Sequence, residues 1–406
     1  MLNHVRHCLL LALMACPLAY GAVDERWISA WAAAPDAAGP GIAAQTIRQV
    51  VRTSVGGSKI RIRLSNLFGT APVTLGPTHL AASDGGAQIK AGTDRTVKFG
   101  GRQSVTIAAG ASVLSDSVEM AVPALGDLAV SIYLPSAVAA PTIHGAGMQT
   151  AFMTTSGDAG AAQRFAAEQT DDSRYFLTDI ELVPAGEAGA LVVVGDSIAD
   201  GIGSLNDGNA RWTDRLAVRL QGRPTLTSIA VVNAGIAGNR LLNDATKPFV
   251  GPSVLARFER DALDKPGVRW ILLHEGINDI TASLMLAGAK EQVSVEQITQ
   301  GMRALAARAR AKGVRIWAGT LLPFEGTKGF YSEAAEAKRQ AVNAWIRSGG
   351  AFDAVIDFDQ ALRDPAQPAR LRVDFDSGDH LHPNEAGYQT MADTIDLRIF
   401  EATAQP

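Results

Sequence analysis

The stretch "SGDHLHPNEAGY", residues 377 to 388, sets His380 and His382 two apart beside Asp379, in a chain with only seven histidines. These residue types admit three readings: a metal site, an acid/base pair, or an ordinary turn before a helix. A metal site built from Asp379, His380 and His382 is disfavoured, because no H-E-x-x-H accompanies them and neighbouring histidines on one turn rarely all face one ion. No metal or other cofactor is therefore expected. Upstream, "VVVGDSIADGIGS" places Gly195, Asp196 and Ser197 where an apolar run meets a helical one. A serine at such a corner can present its hydroxyl while its backbone N–H points to the same spot, which suits a nucleophile that also helps to stabilise an oxyanion. Serine and aspartate also suit a plain helix cap there. "VVNAGIAGNRLL" offers a glycine-rich turn whose N–H groups could aim at a substrate oxygen, or a tight turn that simply needs glycine. "LLHEGINDI" offers the amide of Asn278, or a turn residue that satisfies nearby backbone.

Two kinds of patterning must position these groups. From residue 25 to 184 the signal is alternation with frequent turns: Lys59 to Leu64 switches side at every residue, and Asp127 to Leu134 does much the same. No long helical pattern interrupts these runs, which predicts an N-terminal antiparallel β-sandwich of jelly-roll-like form. After a small-residue linker at 185–190, residues 191–402 alternate apolar strand runs with helical stretches. Leu191 to Val194, Ile229 to Val232, Trp270 to Leu273, Val314 to Ala318 and Ala354 to Phe358 read as strands buried on both faces. Ile298, Met302 and Leu305 recur at helical spacing between them, as do Ala341, Ala344 and Trp345. The fold class is α/β, a three-layer α/β/α domain on a five-stranded parallel sheet, whose ligands gather at the carboxyl ends of the strands.

The length of 406 residues fits two domains. A net charge of −4 without any lysine or arginine run indicates neither a nucleic-acid groove nor a polybasic membrane patch. The first residues carry Arg6, a short apolar run from Cys8 to Cys16, and Ala19-Tyr20-Gly21. That run is too short to span a bilayer, and its layout is that of a secretory signal peptide over residues 1–21. A lipoprotein site at Cys16 is the competing reading, and Met14 and Pro17 fit it poorly. Both cysteines lie in this leader, so the mature protein would have no cysteine nucleophile, thiolate metal site or disulfide.

The motifs gain force in combination. Gly-Asp-Ser after the first strand, glycine after the second, Gly-Ile-Asn-Asp after the third and a late Asp-x-x-His-Pro follow the block order of the SGNH or GDSL hydrolase superfamily, which this half resembles throughout. The resemblance implies that Ser197 is the nucleophile, His382 its general base and Asp379 the group that orients the imidazole. It further implies an oxyanion hole made by the N–H groups of Ser197 and Gly238 and the amide of Asn278. Gly238 is preferred to Gly235 because the family's second-block glycine usually follows the strand-two Asn by several residues. With residues 379 and 382 three apart on one turn, the carboxylate can accept the Nδ1 proton and leave Nε2 facing the serine. His380 should then point elsewhere. Pro383 would open a helix over the segment that follows it. The absence of a G-x-S-x-G elbow and of S-x-x-K also favours Ser197. His79 and His144 read as strand or loop residues, His274 as a support for Asn278, and Asp196 as a bond to its own turn. Asp200 and Arg240 lie close enough in sequence to line the site.

The extended stretches "GDSIADGIGS", "NAGIAGNRLL", "LLPFEG" and "DSGDHLHPNEAGY", preceded by "IRIRLSNLFG" in a β-rich domain, resemble the secreted GDSL group often placed with acetylxylan esterases. That resemblance implies acyl transfer, and an acylated carbohydrate or small ester as the partner, with no nucleic acid and no stable membrane insertion. Two alternatives stand beside a carbohydrate ester hydrolase: a lipase-like or aryl esterase of the same fold, and a non-hydrolytic carbohydrate-binding protein. The β-domain could bind glycan, shape one wall of the cleft or stabilise its neighbour, and no cluster of aromatics in its sequence favours the first.

Overall fold

The computed structural model describes residues 25–244, 250–285 and 292–401. The leader expected over residues 1–21, its Cys16 and the expected domain end at residue 402 lie outside the described residues. The N-terminal half is built on two large antiparallel sheets, with a small sheet of 174–175, 142–144 and 37–38 and a pair of 73–75 and 105–107 beside them. One large sheet runs in the order 28–32, 177–183, 57–65 and 118–122, with 112–114 also against 57–65. The other runs 169–171, 151–153, 46–52, 127–133, 78–82 and 95–97.

The alternation at Lys59–Leu64 behaves as expected. Ile60, Ile62 and Leu64 are fully buried, while Arg61 and Arg63 meet Glu181 of the adjoining strand at 2.5 and 3.2 Å. The strand 127–133 differs, since both of its faces are covered. Ser131 on its second face accepts a hydrogen bond from Arg48, whose buried guanidinium also bonds the carbonyls of Ala87, Ala162 and Gly160. Loops folded over that face supply the acceptors that a buried cation needs.

The C-terminal half carries a five-stranded parallel sheet in the order Ile229–Gly235, Gly189–Gly195, Val268–His274, Arg315–Gly319, Ala354–Ile356. This is the 2-1-3-4-5 order of doubly wound folds, in which the crevice beyond the first strand's carboxyl end is the switch point. Gly189 and Ala190, expected in a linker, already belong to the first strand, and Phe358, expected in the last strand, begins a helix capped by Asp357. Successive side chains of the buried strands serve opposite layers. Leu191, Val193 and Leu272 pack with Trp212, Leu216, Tyr388, Met391 and Phe400. Val192, Val194, Ile271 and Leu273 pack with Ile298, Met302, Leu305 and Val342. The helix Val295–Ala311 starts at Ser294, whose hydroxyl and Gln297 form a reciprocal capping box.

The second of these cores is continuous with the interior of the β-sandwich, whose Ile47, Val51, Ile60, Val130 and Ile180 belong to the same cluster. Polar contacts reinforce the junction: Ser29 N–H to Pro266 O at 2.9 Å, Val231 N–H to Ser54 Oγ at 2.9 Å, and the buried pair Lys265 Nζ–Asp179 Oδ1 at 2.5 Å. No helix among the described residues is long and apolar enough to cross a membrane.

Removing one member of a buried ion pair strands the other charge, which typically costs about 3–5 kcal/mol, whereas replacing both with apolar groups costs much less. Lys265→Met should therefore lose about 3 kcal/mol in urea unfolding, and Lys265→Met combined with Asp179→Leu should recover most of that loss.

Candidate active site

The first parallel strand ends at Gly195, and the chain turns at once into a single helical turn, Ser197–Asp200. Asp196 caps it by accepting the Ile198 N–H at 3.0 Å, and Gly201, at φ 103°, ends it in the left-handed conformation. Ser197 therefore occupies a first-turn position where a backbone N–H has no helical acceptor. The other chemistry arrives from the far end of the chain. Residues 376–384 fold into a closed turn, bridged between Asp376 and Pro383 and by Ser377 N–H to His382 O at 3.0 Å. The helix that follows spans Glu385–Thr394 with Asn384 as its cap. Pro383 thus sits before the cap rather than in the first turn, and the helix stops at Thr394.

Within that turn the Asp379 carboxylate is gripped four ways, one of them the Ser377 hydroxyl at 3.2 Å from Oδ1. Oδ1 accepts the N–H groups of Leu381 and His382 at 2.9 and 2.8 Å, and Oδ2 lies 2.5 Å from His382 Nδ1. Burial raises its pKa, but the bonds from the His382 ring and the two backbone N–H groups outweigh that and hold it below the ordinary carboxylate value. A carboxylate at Nδ1 fixes the tautomer with hydrogen on that nitrogen. Nε2 is left as an acceptor, 2.8 Å from Ser197 Oγ. His380 turns away, with a φ of 63° and its Nδ1 2.5 Å from Asp376 Oδ2.

The loop after the second strand carries Gly238 at φ 74°, where an added Cβ would stand 2.3 Å from Val250 Cγ1. Glycine is the residue this backbone tolerates. Its neighbours spend their N–H groups: Gly235 on Asn233 Oδ1 at 2.8 Å, Ile236 on Gly195 O at 3.0 Å, Ala237 on Asp200 Oδ2 at 2.9 Å and Asn239 on Ile236 O at 3.0 Å. Among the described residues, the Gly238 N–H has no such partner. Asn278 uses one amide hydrogen on Asn239 O at 2.9 Å, which fixes its plane and leaves the second hydrogen. His274 does not support Asn278 as expected: its Nε2 lies 3.2 Å from Thr320 O, its ring meets Phe358 edge-on, and burial lowers its pKa to about 4.

Several residues that carry this geometry were not singled out from the sequence. Asp279 accepts the N–H groups of Leu241 and Leu242 at 2.7 and 3.0 Å, tying the third block to the second. Arg257, fully buried, reaches Asn239 Oδ1, Ala234 O and Gly195 O at 2.9, 2.7 and 3.2 Å and so joins the ends of two strands. Glu275 is buried without a hydrogen-bond partner for either oxygen, and burial, followed by the charges of Asp196 and Asp279, pushes its pKa far up. Only the Asp in "GIND" lies inside a recognisable motif. Of the two residues placed near the site, Asp200 is buried and bonded as above, and Arg240 donates to Asp244 O at 2.6 Å. No group of three His, Cys, Asp or Glu among the described residues could hold a metal ion. A cleft of about 280 Å³ between the two halves lies at the opposite end of the sheet, and its Arg63, Lys265 and Arg260 are paired with Glu181, Asp179 and Asp261.

Residues 193–390 match the family model described as GDSL-like lipase/acylhydrolase. The α/β half belongs to the GDSL family of ester hydrolases. Solved structures similar to the chain include a catalytic mutant of Axe2, an acetylxylan esterase from Geobacillus stearothermophilus. It is 22% identical with a TM-score of 0.39, over 52% of this chain and 93% of that one. The native aryl esterase of M. smegmatis is 15% identical with a TM-score of 0.41, over 53% of this chain and 99% of that one. A GDSL-like lipase from Bacteroides thetaiotaomicron is 18% identical with a TM-score of 0.37, over 52% and 88%. No curated protein matches the chain. The protein is a GDSL-type serine esterase.

Burial raises the Asp196 pKa from 3.8 to about 7; the N–H groups of Ile198 and of Asp196 itself oppose it, and Oδ2 is unpartnered. The folded state thus resists ionisation of this group. The resulting cost is absent well below pH 4, grows as the pH rises to about 7 and is constant above that. Asp196→Asn in the GDSL domain should therefore unfold at higher urea than the parent at pH 8, by on the order of 2–4 kcal/mol, with the gap closing toward pH 4.

Proposed function

We propose that this esterase is secreted and removes acyl groups, above all acetyl, from carbohydrate through an acyl-enzyme on Ser197. The observation that carries the catalytic assignment is the unbroken chain Asp379 Oδ2–His382 Nδ1 and His382 Nε2–Ser197 Oγ at 2.5 and 2.8 Å. In this reading the Nε2 lone pair accepts the Ser197 proton as Oγ attacks the ester carbonyl carbon. The carbonyl π pair moves onto oxygen, where the N–H groups of Ser197 and Gly238 and the free amide hydrogen of Asn278 receive it. Collapse breaks the ester C–O bond, and the imidazolium returns its proton to the departing alcohol. Water then attacks the acyl-enzyme with His382 again as base, which frees the acid and regenerates Ser197.

Asp379 keeps its charge through the cycle and stabilises the imidazolium that forms between steps. Gly238, not Gly235, is the second donor because the Gly235 N–H is already spent on Asn233. Secretion rests on the leader pattern of residues 1–21. The carbohydrate rests on the likeness of the sequence stretches to the acetylxylan-esterase group.

Purified protein should release acetate from acetylated xylan or another acetylated glycan, and its activity on simple esters should fall as the acyl chain lengthens. Ser197→Ala should lose about 10⁴-fold or more in turnover, and Asn278→Ala on the order of 10²-fold with little change in KM. A folded Ser197→Ala that kept most of its activity would remove the nucleophile assignment. Preference for long simple esters with no release from any glycan would keep the mechanism and replace the substrate.

A further inference from the structure

One of the polar contacts between the β-sandwich and the GDSL domain reaches the helical turn that carries Ser197. His144 ends the short strand Thr142–His144, which is held on both sides by Ala37–Ala38 and Arg174–Tyr175, so its ring cannot swing away. The ring is buried. Nδ1 lies 2.8 Å from Ala34 O, and Nε2 lies 3.0 Å from Asp200 Oδ1. A carbonyl only accepts, so Nδ1 carries a hydrogen. Asp200 Oδ2 accepts the Ala237 N–H at 2.9 Å, and with the carboxylate ionised its Oδ1 accepts as well, so Nε2 then carries a hydrogen too. With an ionised Asp200 the contacts are satisfied together only by an imidazolium.

Asp200 closes the helical turn that begins at Ser197, and Ala237 directly precedes Gly238. One carboxylate thus spans the nucleophile's turn and the loop that presents the second oxyanion donor. We propose that His144 is a positioning residue for catalysis: its charge, supplied by the β-sandwich, holds Asp200 in place so that the Ala237–Gly238 backbone aims its free N–H at the reacting carbonyl. This rests on the assignment of Gly238 as an oxyanion donor. It makes the N-terminal half part of the active site rather than an appended module.

The electrostatic setting agrees. Burial works against the charged ring, but Asp200, and then Asp36 with its Oδ2 3.7 Å from Nδ1, outweigh it and hold the pKa at about 9. Asp36 is in turn anchored by the Gly145 N–H at 2.6 Å. The cations nearby have their own engagements. Arg174 faces His144 across the strand pair and lies against Gln149 with one guanidinium nitrogen unpartnered, and Arg211, which is paired with Asp214, also acts on Asp200 without bonding it. Arg257, which acts on Asp36 from the far side, is paired with Asp261. Loss of the His144 charge would leave Asp200 buried and opposed by Asp36 and Asp196, and the carboxylate would shift, which weakens its hold on Ala237. Oxyanion stabilisation depends on donor placement at the scale of a fraction of an ångström. Mere docking does not require this arrangement, because Thr150 already clamps Asp207 through 2.6 and 2.7 Å bonds and Asn206 reaches Asp172 at 3.2 Å.

The test uses the full chain and p-nitrophenyl acetate between pH 6 and 10.5. His144→Gln, which can donate to Asp200 but carries no charge, should lower kcat at least tenfold at pH 7.5 with KM within twofold of the parent. The parent should lose kcat through an alkaline step near pH 9, the pH at which the folded ring gives up its proton, and the variant should lack that step. A folded His144→Gln with parental kcat, or with the alkaline step intact, overturns the proposal. In the parent itself, the ¹H–¹⁵N signals of Ala237 and Gly238 should titrate together with the His144 ring, and amides that stay unmoved while the ring titrates overturn it even if the variant does not fold. A parent that hydrolyses no ester would sink the proposed function instead, while the amide titration still decides whether His144 governs this loop.

Discussion

A hydrogen bond of 2.8 Å between Ser197 and His382 joins residues 185 positions apart, and the architecture of the C-terminal half is arranged to make it possible. The serine must stand at the end of a strand buried on both faces, and the histidine must return to the same edge after the other strands have been laid down. The helix Glu385–Thr394 achieves the return by packing on the helix Trp212–Gln221. Tyr388 and Met391 share a core with Trp212 and Leu216, and Arg219 donates to the Ala392 and Ile395 carbonyls. Tyr388 then bonds Ile202 O at 2.6 Å, which draws the loop after Ser197 toward the His382 turn. At Gly203 in that loop, a Cβ would stand 2.8 Å from Pro383 O and 3.4 Å from His382 Cβ. The loop and the turn can approach this closely because that side chain is absent.

The same strand ends concentrate buried acids: Asp196, Asp200, Glu275 and Asp279 all lie within the first and third blocks and their flanks. Each is accommodated differently. Asp279 is met by two backbone N–H groups, and Asp200 by one N–H and an imidazolium. Asp196 has one N–H for one oxygen, and Glu275 has none. Their pKa values follow the supply of donors, with Asp279 raised to about 6, Asp196 to about 7 and Glu275 well above its ordinary value. A carboxyl without donors in a dry interior is neutral, because the cost of burying its charge exceeds what folding can offset. Arg257 is a fully buried cation beside them, and it is placed to bond the carbonyls at Gly195 and Ala234 as well as to balance charge.

The parts of this structure legible in the sequence are those governed by short periodicities and local blocks. Buried strands showed as apolar runs, and Ile298, Met302 and Leu305 marked a helix that packs where its spacing requires. The Asp379–His382 contact could be read because three residues on one turn leave little freedom. What escaped the reading depends on partners remote in sequence. His144 looked like an ordinary strand residue, since its meaning comes from Asp200, 56 positions away. His274 sits close to Asn278 in sequence, yet the strand direction turns its ring toward Thr320 and Phe358. Arg257 lies outside every motif, and the two acceptors by which it joins the strand ends are backbone carbonyls, which any sequence provides.

The junction between the halves also bears on why the β-sandwich is present. A carbohydrate-binding module attached to a catalytic domain would join it through a small, polar and separable contact. Here one apolar core runs from Ile47 and Val130 of the sandwich to Val192 and Leu273 beneath the active site, and Ser54 of the sandwich bonds the backbone of the second parallel strand. Cutting the chain between the halves would expose that core and strip Asp200 of its cation. The sandwich therefore has a sufficient physical reason to exist without binding anything, as the structural floor on which the Ser197 turn and the glycine loop rest.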